Sequence, residues 1–331
     1  MSVRLDKTQT IVQHILRNIS TPRRFPPGVN CTATKPLFVG LSGPQGIGKT
    51  TLTNKLVAAL SGAPHNLRVF AFSTDDLYLP FKDQQALSQR YPDNKLIEFR
   101  GLPGTHDVQL GADTFRALCE ANQLAPIRSS QSAEEPIQQP APIRVPIPTY
   151  DKSLHSGRGD QAPKDQWPQA EAPFDVILFE GWSLGFKSIR DQSHLLSIYQ
   201  QRSTFPPYYL AEHPFSSLKV VDQFLEAYEQ EWYSYLDVFV HLSAPNLATV
   251  FKWRAEQERD LWVKKGAGMT EEQVKEFVSR FMPAYEVYLE RLLQESLFKE
   301  NETSSGTRST GRHLRLDLDE NRDIVSTTLV E

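Results

Sequence analysis

Apolar residues along the chain follow two rhythms. Ile11, Ile15, Leu16 and Ile19 recur among polar neighbours at helical spacing, which predicts a short amphipathic helix over 8–19. Uninterrupted apolar runs form the second rhythm, at 36–42, 67–72, 174–179 and 237–242, with a further strand at 313–318. Short continuous runs of this kind suit strands of a parallel sheet, which are buried on both faces. Between them the pattern predicts helices over 50–60, 220–236, 246–264 and 270–297. The last opens with Thr270 and Gln273 at capping-box spacing. Pro283 should kink or divide it, because proline supplies no N–H to a helix interior. Strand, helix and strand over 36–72 make a βαβ unit, and hence a parallel sheet with helices on its faces.

Two stretches break the rhythm. Residues 129–146 are rich in Pro, Gln and Ser, and 159–173 are polar with repeated prolines, so both are expected as flexible insertions. Residues 1–30 read as the N-terminal helix followed by a loop carrying Pro22, Pro26 and Pro27. With no internal repeat, and with all strands able to join one sheet, 1–331 is expected to be a single domain.

Composition narrows the partners. A net charge of −4 gives no general attraction to nucleic acid or to an anionic membrane. Cys31 and Cys119 make neither a disulfide framework nor a metal-ligand cluster. No apolar run approaches the roughly 20 residues of a membrane span. The N-terminus lacks the apolar centre of a secretory signal. These features together predict a cytoplasmic protein, with a monomer favoured.

The chemistry enters at 43–50, just after the first apolar run. Gly43, Pro44, Gln45, Gly46, Ile47, Gly48, Lys49 and Thr50 satisfy G-x-x-x-x-G-K-[ST] in full, and Thr51 follows. Glycines let successive backbone N–H groups point inward around a polyphosphate, and the helix N-terminus adds partial positive charge. Lys49 would reach the β- and γ-phosphates of ATP, and the Thr50 hydroxyl would ligate Mg²⁺. The fold class predicted is therefore α/β: a P-loop NTPase, three-layer α/β/α, with a central mainly parallel sheet, a helical lid at 246–264 and insertions.

A P-loop alone does not name a reaction. The D-x-x-G and N-K-x-D patterns of GTPases occur nowhere in the chain. Instead the second strand runs into Ser73-Thr-Asp-Asp-Leu-Tyr78, at the sheet edge where open α/β sheets bind ligands. Asp75 there can accept the proton of an attacking hydroxyl or orient it; the bland alternative is a helix cap, the role open to Asp76. The third strand ends in Glu180-Gly181, an acidic strand end suited to holding a water on Mg²⁺. Arg254, with Lys252 in reserve, could close over the transferring phosphoryl group, or simply pair with Glu258 one helical turn on.

These residues resemble the superfamily of uridine kinase, phosphoribulokinase and pantothenate kinase, whose catalytic Asp stands in an Asp-x-Phe-Tyr-like element. Here it is Asp75-Asp-Leu-Tyr78, with Leu77 in place of Phe. Within that superfamily, Arg100-Gly-Leu-Pro-Gly-Thr-His-Asp107 and Pro148-Thr-Tyr-Asp-Lys-Ser153 with Gly157-Arg-Gly-Asp160 are similar to D-glycerate 3-kinase and fungal ATP-dependent kinase-like proteins. Glu180-Gly-Trp-Ser-Leu-Gly-Phe186 and Trp253-Arg-Ala-Glu-Gln-Glu258 extend the likeness. The resemblance implies transfer of the ATP γ-phosphate to a hydroxyl of D-glycerate. Arg100, His106, Lys152 and Arg158 offer cations for the acceptor's carboxylate, and Asp76, Tyr78, Asp107 and Tyr150 groups for its hydroxyls. Two other readings stay open at this stage: a kinase of a nucleoside- or pantothenate-like alcohol, and an ATP-binding regulator that transfers nothing.

Overall fold

The computed structural model describes residues 5–20, 35–125, 141–203, 209–266, 268–299 and 311–331. Its first half runs α1 (Lys7–Asn18), β1 (Leu37–Ser42), α2 (Lys49–Ser61), β2 (Val69–Ser73), α3 (Phe81–Arg90) and α4 (Val108–Leu124). Four short strands follow, β3 (Arg144–Pro146), β4 (Tyr150–Asp151), β5 (Asp160–Gln161) and β6 (Gln169–Glu171). Then come β7 (Val176–Gly181), α5 (Gln192–Ser203), α6 (Phe215–Glu231), β8 (Val238–Ser243) and α7 (Ala248–Lys265). The chain closes with α8 (Glu271–Ser279), α9 (Met282–Gln294), β9 (His313–Leu318) and β10 (Ile324–Val330).

Six strands form the central sheet in the order β10-β9-β8-β1-β7-β2. Every neighbouring pair is parallel except β9 and β10. Side chains alternate across a strand, and here the alternation sorts them by size. Phe38, Phe72, Ile177, Phe179 and Phe239 point to one face, where Phe115 of α4, Trp232 and the residues of α6 and α9 cover them. Leu37, Val39, Leu41, Val176, Leu178, Val238 and Val240 point to the other, under α1 and α2. Phe115 stands edge-on to Phe38, Phe72 and Phe179 at 5.0–5.5 Å, a geometry that favours aromatic pairs.

The strands expected from apolar runs are all present, most displaced by one or two residues. Thr270 and Gln273 form the predicted capping box, and the expected long helix divides at 280–281, leaving Pro283 in the first turn of α9. Proline is tolerated there because that N–H has no intrahelical acceptor. Helices α3, α4 and α5 were not among the predicted elements, and the helix expected at 220–236 starts and ends about five residues earlier. Two further features differ from the sequence reading. Strand β10 was not foreseen; its exposed residues, paired only to β9, carry no apolar run. The stretch 159–173, expected as a flexible insertion, instead pairs β5 with β4 and β6 with β3 and buries Trp167. Of the other insertion, 129–140 lies outside the described residues, while its end, Arg144–Pro146, forms β3; the loop prolines of 21–34 also lie outside the described residues. Among the described residues no helix is long and apolar enough to cross a membrane.

Candidate active site

The parallel strands β1, β7 and β2 end side by side. Leu41 and Ser73 flank Glu180 in register, so the turn after β1 and the turn after β2 open on either side of one carboxylate. The edge at the carboxyl ends of the strands is where α/β sheets take ligands.

After β1 the chain turns through 43–48 into α2. Gly46 has φ +76°, and a Cβ there would stand 2.7 Å from the Trp253 carbonyl carbon and 2.9 Å from Arg254 N. Only glycine lets the loop lie so close against α7. Lys49 Nζ donates to Gly43 O (2.7 Å) and Pro44 O (3.3 Å), so its ammonium lies across the loop. Burial lowers its pKa, an effect opposed by Glu180 and Asp75. Thr50 Oγ1 donates to Glu180 Oε1 at 3.3 Å, and burial raises the Glu180 pKa against the pull of Lys49. Gln45 accepts a hydrogen bond from Tyr285 of α9 (2.6 Å), which ties the loop to the thick side of the fold.

Past β2, residues Thr74–Leu77 make a short 3-10 turn. Asp76 accepts from Ser73 N (3.1 Å) and Ser73 Oγ from Asp75 N (3.2 Å), a reciprocal cap. Of the roles open to it, Asp76 takes the cap, and burial pushes its pKa up to about 6. Asp75 turns instead into the cavity. Tyr78 Oη donates to its Oδ1 (3.0 Å) and Lys152 Nζ to its Oδ2. Burial disfavours the Asp75 charge, but the adjacent Lys152 ammonium outweighs it and holds the pKa below the usual carboxylate range.

Arg100, Lys152 and Arg158 line the same cavity as Asp75, Lys49 and Glu180. Arg100 Nη1 donates to the carbonyls of Gly157 and Arg158. Besides Asp76, three more residues expected at the acceptor lie behind this wall. His106 is 3% exposed, stacks on Tyr78 at 4.3 Å, and shares a hydrogen bond with Tyr228 Oη (2.7 Å). Burial lowers its pKa to about 4, so it is neutral at pH 7. Asp107 caps α4 through Leu110 N (2.9 Å), and Tyr150 is buried with its hydroxyl donating to Arg158 O (3.3 Å). These three support the wall without lining it.

Arg254 lines the cavity, its guanidinium paired with Glu258 (2.7 Å) and 5.2 Å from the Phe277 ring. The pair with Glu258 expected from the sequence is therefore present, and it leaves Arg254 on the cavity wall. Lys252, the reserve, bonds Glu320 instead (2.8 Å). Phe99, Arg280 and Arg322 also line the cavity and carry no motif that would reveal them in the sequence. The cavity encloses about 1020 Å³, at the upper end of ligand sites and ample for a nucleotide with a second small molecule.

A Gly-rich cradle with its lysine, and an ionised carboxylate across from it in the turn after β2, on the far side of β7, define a P-loop kinase of the α/β class. Comparison with known proteins then fixes the family. The chain is 34% identical to the chloroplastic D-glycerate 3-kinase of Arabidopsis thaliana over 87% of its length, and spans about half of that plant protein (54%). It is 31% identical to the probable ATP-dependent kinase TDA10 of Saccharomyces cerevisiae over 97% of both chains. A solved D-glycerate 3-kinase from Cryptococcus neoformans var. grubii superposes with a TM-score of 0.78 at 30% identity, covering 97% of this chain and 98% of that one. No family model matches. The chain belongs to the kinase family that contains D-glycerate 3-kinase and TDA10.

Proposed function

We propose that this protein transfers the γ-phosphate of ATP to a hydroxyl of D-glycerate, giving 3-phosphoglycerate. The single observation that carries the proposal is Asp75: a carboxylate kept ionised by Lys152 and bonded to Tyr78, in one cavity with Lys49. The names of the plant and Cryptococcus relatives point to the acceptor, and a wall bearing Arg100, Lys152 and Arg158 suits a small hydroxy acid.

In this reading Asp75 accepts the proton as the acceptor oxygen bonds to the γ-phosphorus and the bond from that phosphorus to the β-bridging oxygen breaks. Lys49 and Arg254 bear the charge that spreads over the transferring group. The backbone of 43–51 holds the phosphates. Thr50 Oγ1 and the Glu180 carboxylate are hard oxygen donors at the mouth of the cradle, a pair that fits Mg²⁺ ligated mainly by phosphates and water. When bound, Mg²⁺ supplies neutralising charge for the triphosphate. We further infer a cytoplasmic monomer with a small-molecule partner and neither nucleic acid nor membrane, in keeping with a net charge of −4.

The deciding experiment measures ADP release with ATP, Mg²⁺ and D-glycerate, beside a panel of other small alcohols. Glycerate-dependent ADP formation is expected, and Asp75→Asn should lower kcat by about 10²- to 10⁴-fold with ATP affinity nearly unchanged. Turnover of a different alcohol alone would replace the acceptor. ATP binding with no transfer to any alcohol would favour a regulatory nucleotide switch.

A further inference from the structure

One part of the cavity is organised around the ring of Phe99. The guanidinium of Arg158 lies 4.7 Å from its centroid, and the guanidinium of Arg280 lies 4.7 Å from it as well. Arg158 comes from the turn between β4 and β5, whereas Arg280 comes from the junction of α8 and α9. Both line the cavity that holds Asp75. An aromatic face attracts each cation and holds two like charges at fixed positions that they would otherwise avoid.

Arg280 owes its position to its neighbour Phe281. That ring packs edge-on against Trp182 at 5.0 Å, and Trp182 Nε1 donates to Gly101 O (3.1 Å). Gly101 has φ +150°, and a Cβ on it would stand 2.8 Å from Phe281 Cε1. The junction of α8 and α9 therefore seats directly on the segment that carries Phe99 and Arg100.

The hydrogen bonds leave this corner electrically positive. Arg100 donates to the carbonyls of Gly157 and Arg158, and Arg158 Nη2 donates to Glu98 O (3.2 Å). Carbonyls occupy N–H groups without cancelling charge. Arg280 does have a carboxylate partner, Glu276, at 2.8 Å, but that side chain is 72% exposed. Ion pairs in water contribute little, so an anion inside the cavity competes easily for the guanidinium.

We propose that Arg280, together with Arg158 beside Phe99, forms the subsite for the acceptor's carboxylate and sets the enzyme's preference for anionic acceptors over neutral alcohols of the same size. The proposal rests on the kinase reading above. It gives the acceptor two anchors. Planar guanidinium groups grip the carboxylate with paired hydrogen bonds, and Asp75 receives the hydroxyl. Because Arg280 belongs to the α8–α9 junction and Arg158 to the β4–β5 turn, the subsite is complete only when those two segments meet over Phe99.

The test uses acceptor twins that differ only in a carboxylate against a hydroxymethyl group: D-glycerate with glycerol, and pantothenate with pantothenol. Unmodified protein should favour the acid of whichever pair it uses. Arg280→Ala should raise KM for that acid by about 10- to 100-fold, the worth of hydrogen bonds to a charged group, with kcat much less affected. The acid-over-neutral preference should fall by the same factor, with KM for ATP held within about twofold. Arg280→Lys, which keeps the charge and loses the fork, should recover part of the loss. An unchanged KM for the acid, or an equal loss for both twins, overturns the subsite. Unmodified protein that uses the twins equally also overturns it, while leaving the kinase reading intact. If no acceptor is phosphorylated, the kinase reading falls and calorimetric binding of D-glycerate decides: weaker binding to Arg280→Ala supports the subsite, and equal binding ends it.

Discussion

The phosphate cradle and the acceptor wall face each other across one cavity, and they are built by different means. The cradle is a continuous run, 43–51, whose backbone does most of the work between β1 and α2. The wall draws Tyr78, Phe99, Arg100, Lys152, Arg158 and Arg280 from four separate stretches of chain. Its order depends on contacts made behind or beside the lining: His106 under Tyr78, Asp107 capping α4, and Phe281, itself at the cavity edge, pressed on Gly101. A cradle made of consecutive amides keeps its shape wherever a strand precedes it and a helix follows. A wall made of distant side chains has the shape that the packing behind it allows. The cradle therefore tolerates change in the fold and the wall does not, which is how one phosphate site serves many acceptors across a family of kinases.

That contrast can be broken by experiment. Lys49→Ala should reduce kcat by about 10²- to 10³-fold with every acceptor tried, since the lost charge acts on the phosphoryl group, while the thermal midpoint barely moves. A loss confined to one acceptor would tie the cradle to the wall and erase the distinction. Gly101→Ala should act the other way round. Its Cβ would force Phe281 to shift, costing about 1–3 kcal/mol of stability and raising KM for the acceptor several-fold, with KM for ATP unchanged. Equal effects on both KM values would show that the wall and the cradle move as one body.

The smallest effect concerns Asp76, which sits behind the site as a cap. Its folded pKa of about 6 lies above that of an exposed carboxyl, so the folded state holds the proton more tightly than the unfolded state. Any stabilisation from that proton is complete below about pH 4 and is lost as pH rises through 6. Asparagine can still accept from Ser73 N and does not ionise. The midpoint difference between Asp76→Asn and the unmodified protein should therefore grow in favour of asparagine, by about 1–3 °C, between pH 4 and pH 7. A difference that stays flat with pH would remove the buried charge from Asp76.

How much of this was legible depended on how local each signal is. Buried parallel strands announce themselves as short apolar runs because both faces are covered, and β1, β2, β7, β8 and β9 were readable for that reason. Strand β10 was not, because an edge strand with exposed residues needs no such run. Asp75 could be read from its position after a strand that follows the cradle. The difference between Asp75 and Asp76 could not, because one turn of 3-10 helix aims one carboxylate into the cavity and folds the other back onto Ser73. Residues 159–173 looked like a loop by composition, yet pairing with β3 and β4 and the burial of Trp167 order them.

Sequence alone determined the parallel sheet, the nucleotide cradle and the placing of a carboxylate beside it, because each is written in consecutive residues whose geometry is set by local backbone rules. Only the tertiary structure decided which cations share the cavity with Asp75 and which expected residues stand behind it. His106, Asp107 and Tyr150 looked like acceptor ligands and became supports, and Arg280, silent in the sequence, arrives through the packing of Phe281 on Gly101. The physical reason is range: a hydrogen-bonded turn is fixed by its neighbours in the chain, whereas a side chain's partners are fixed by how the core closes.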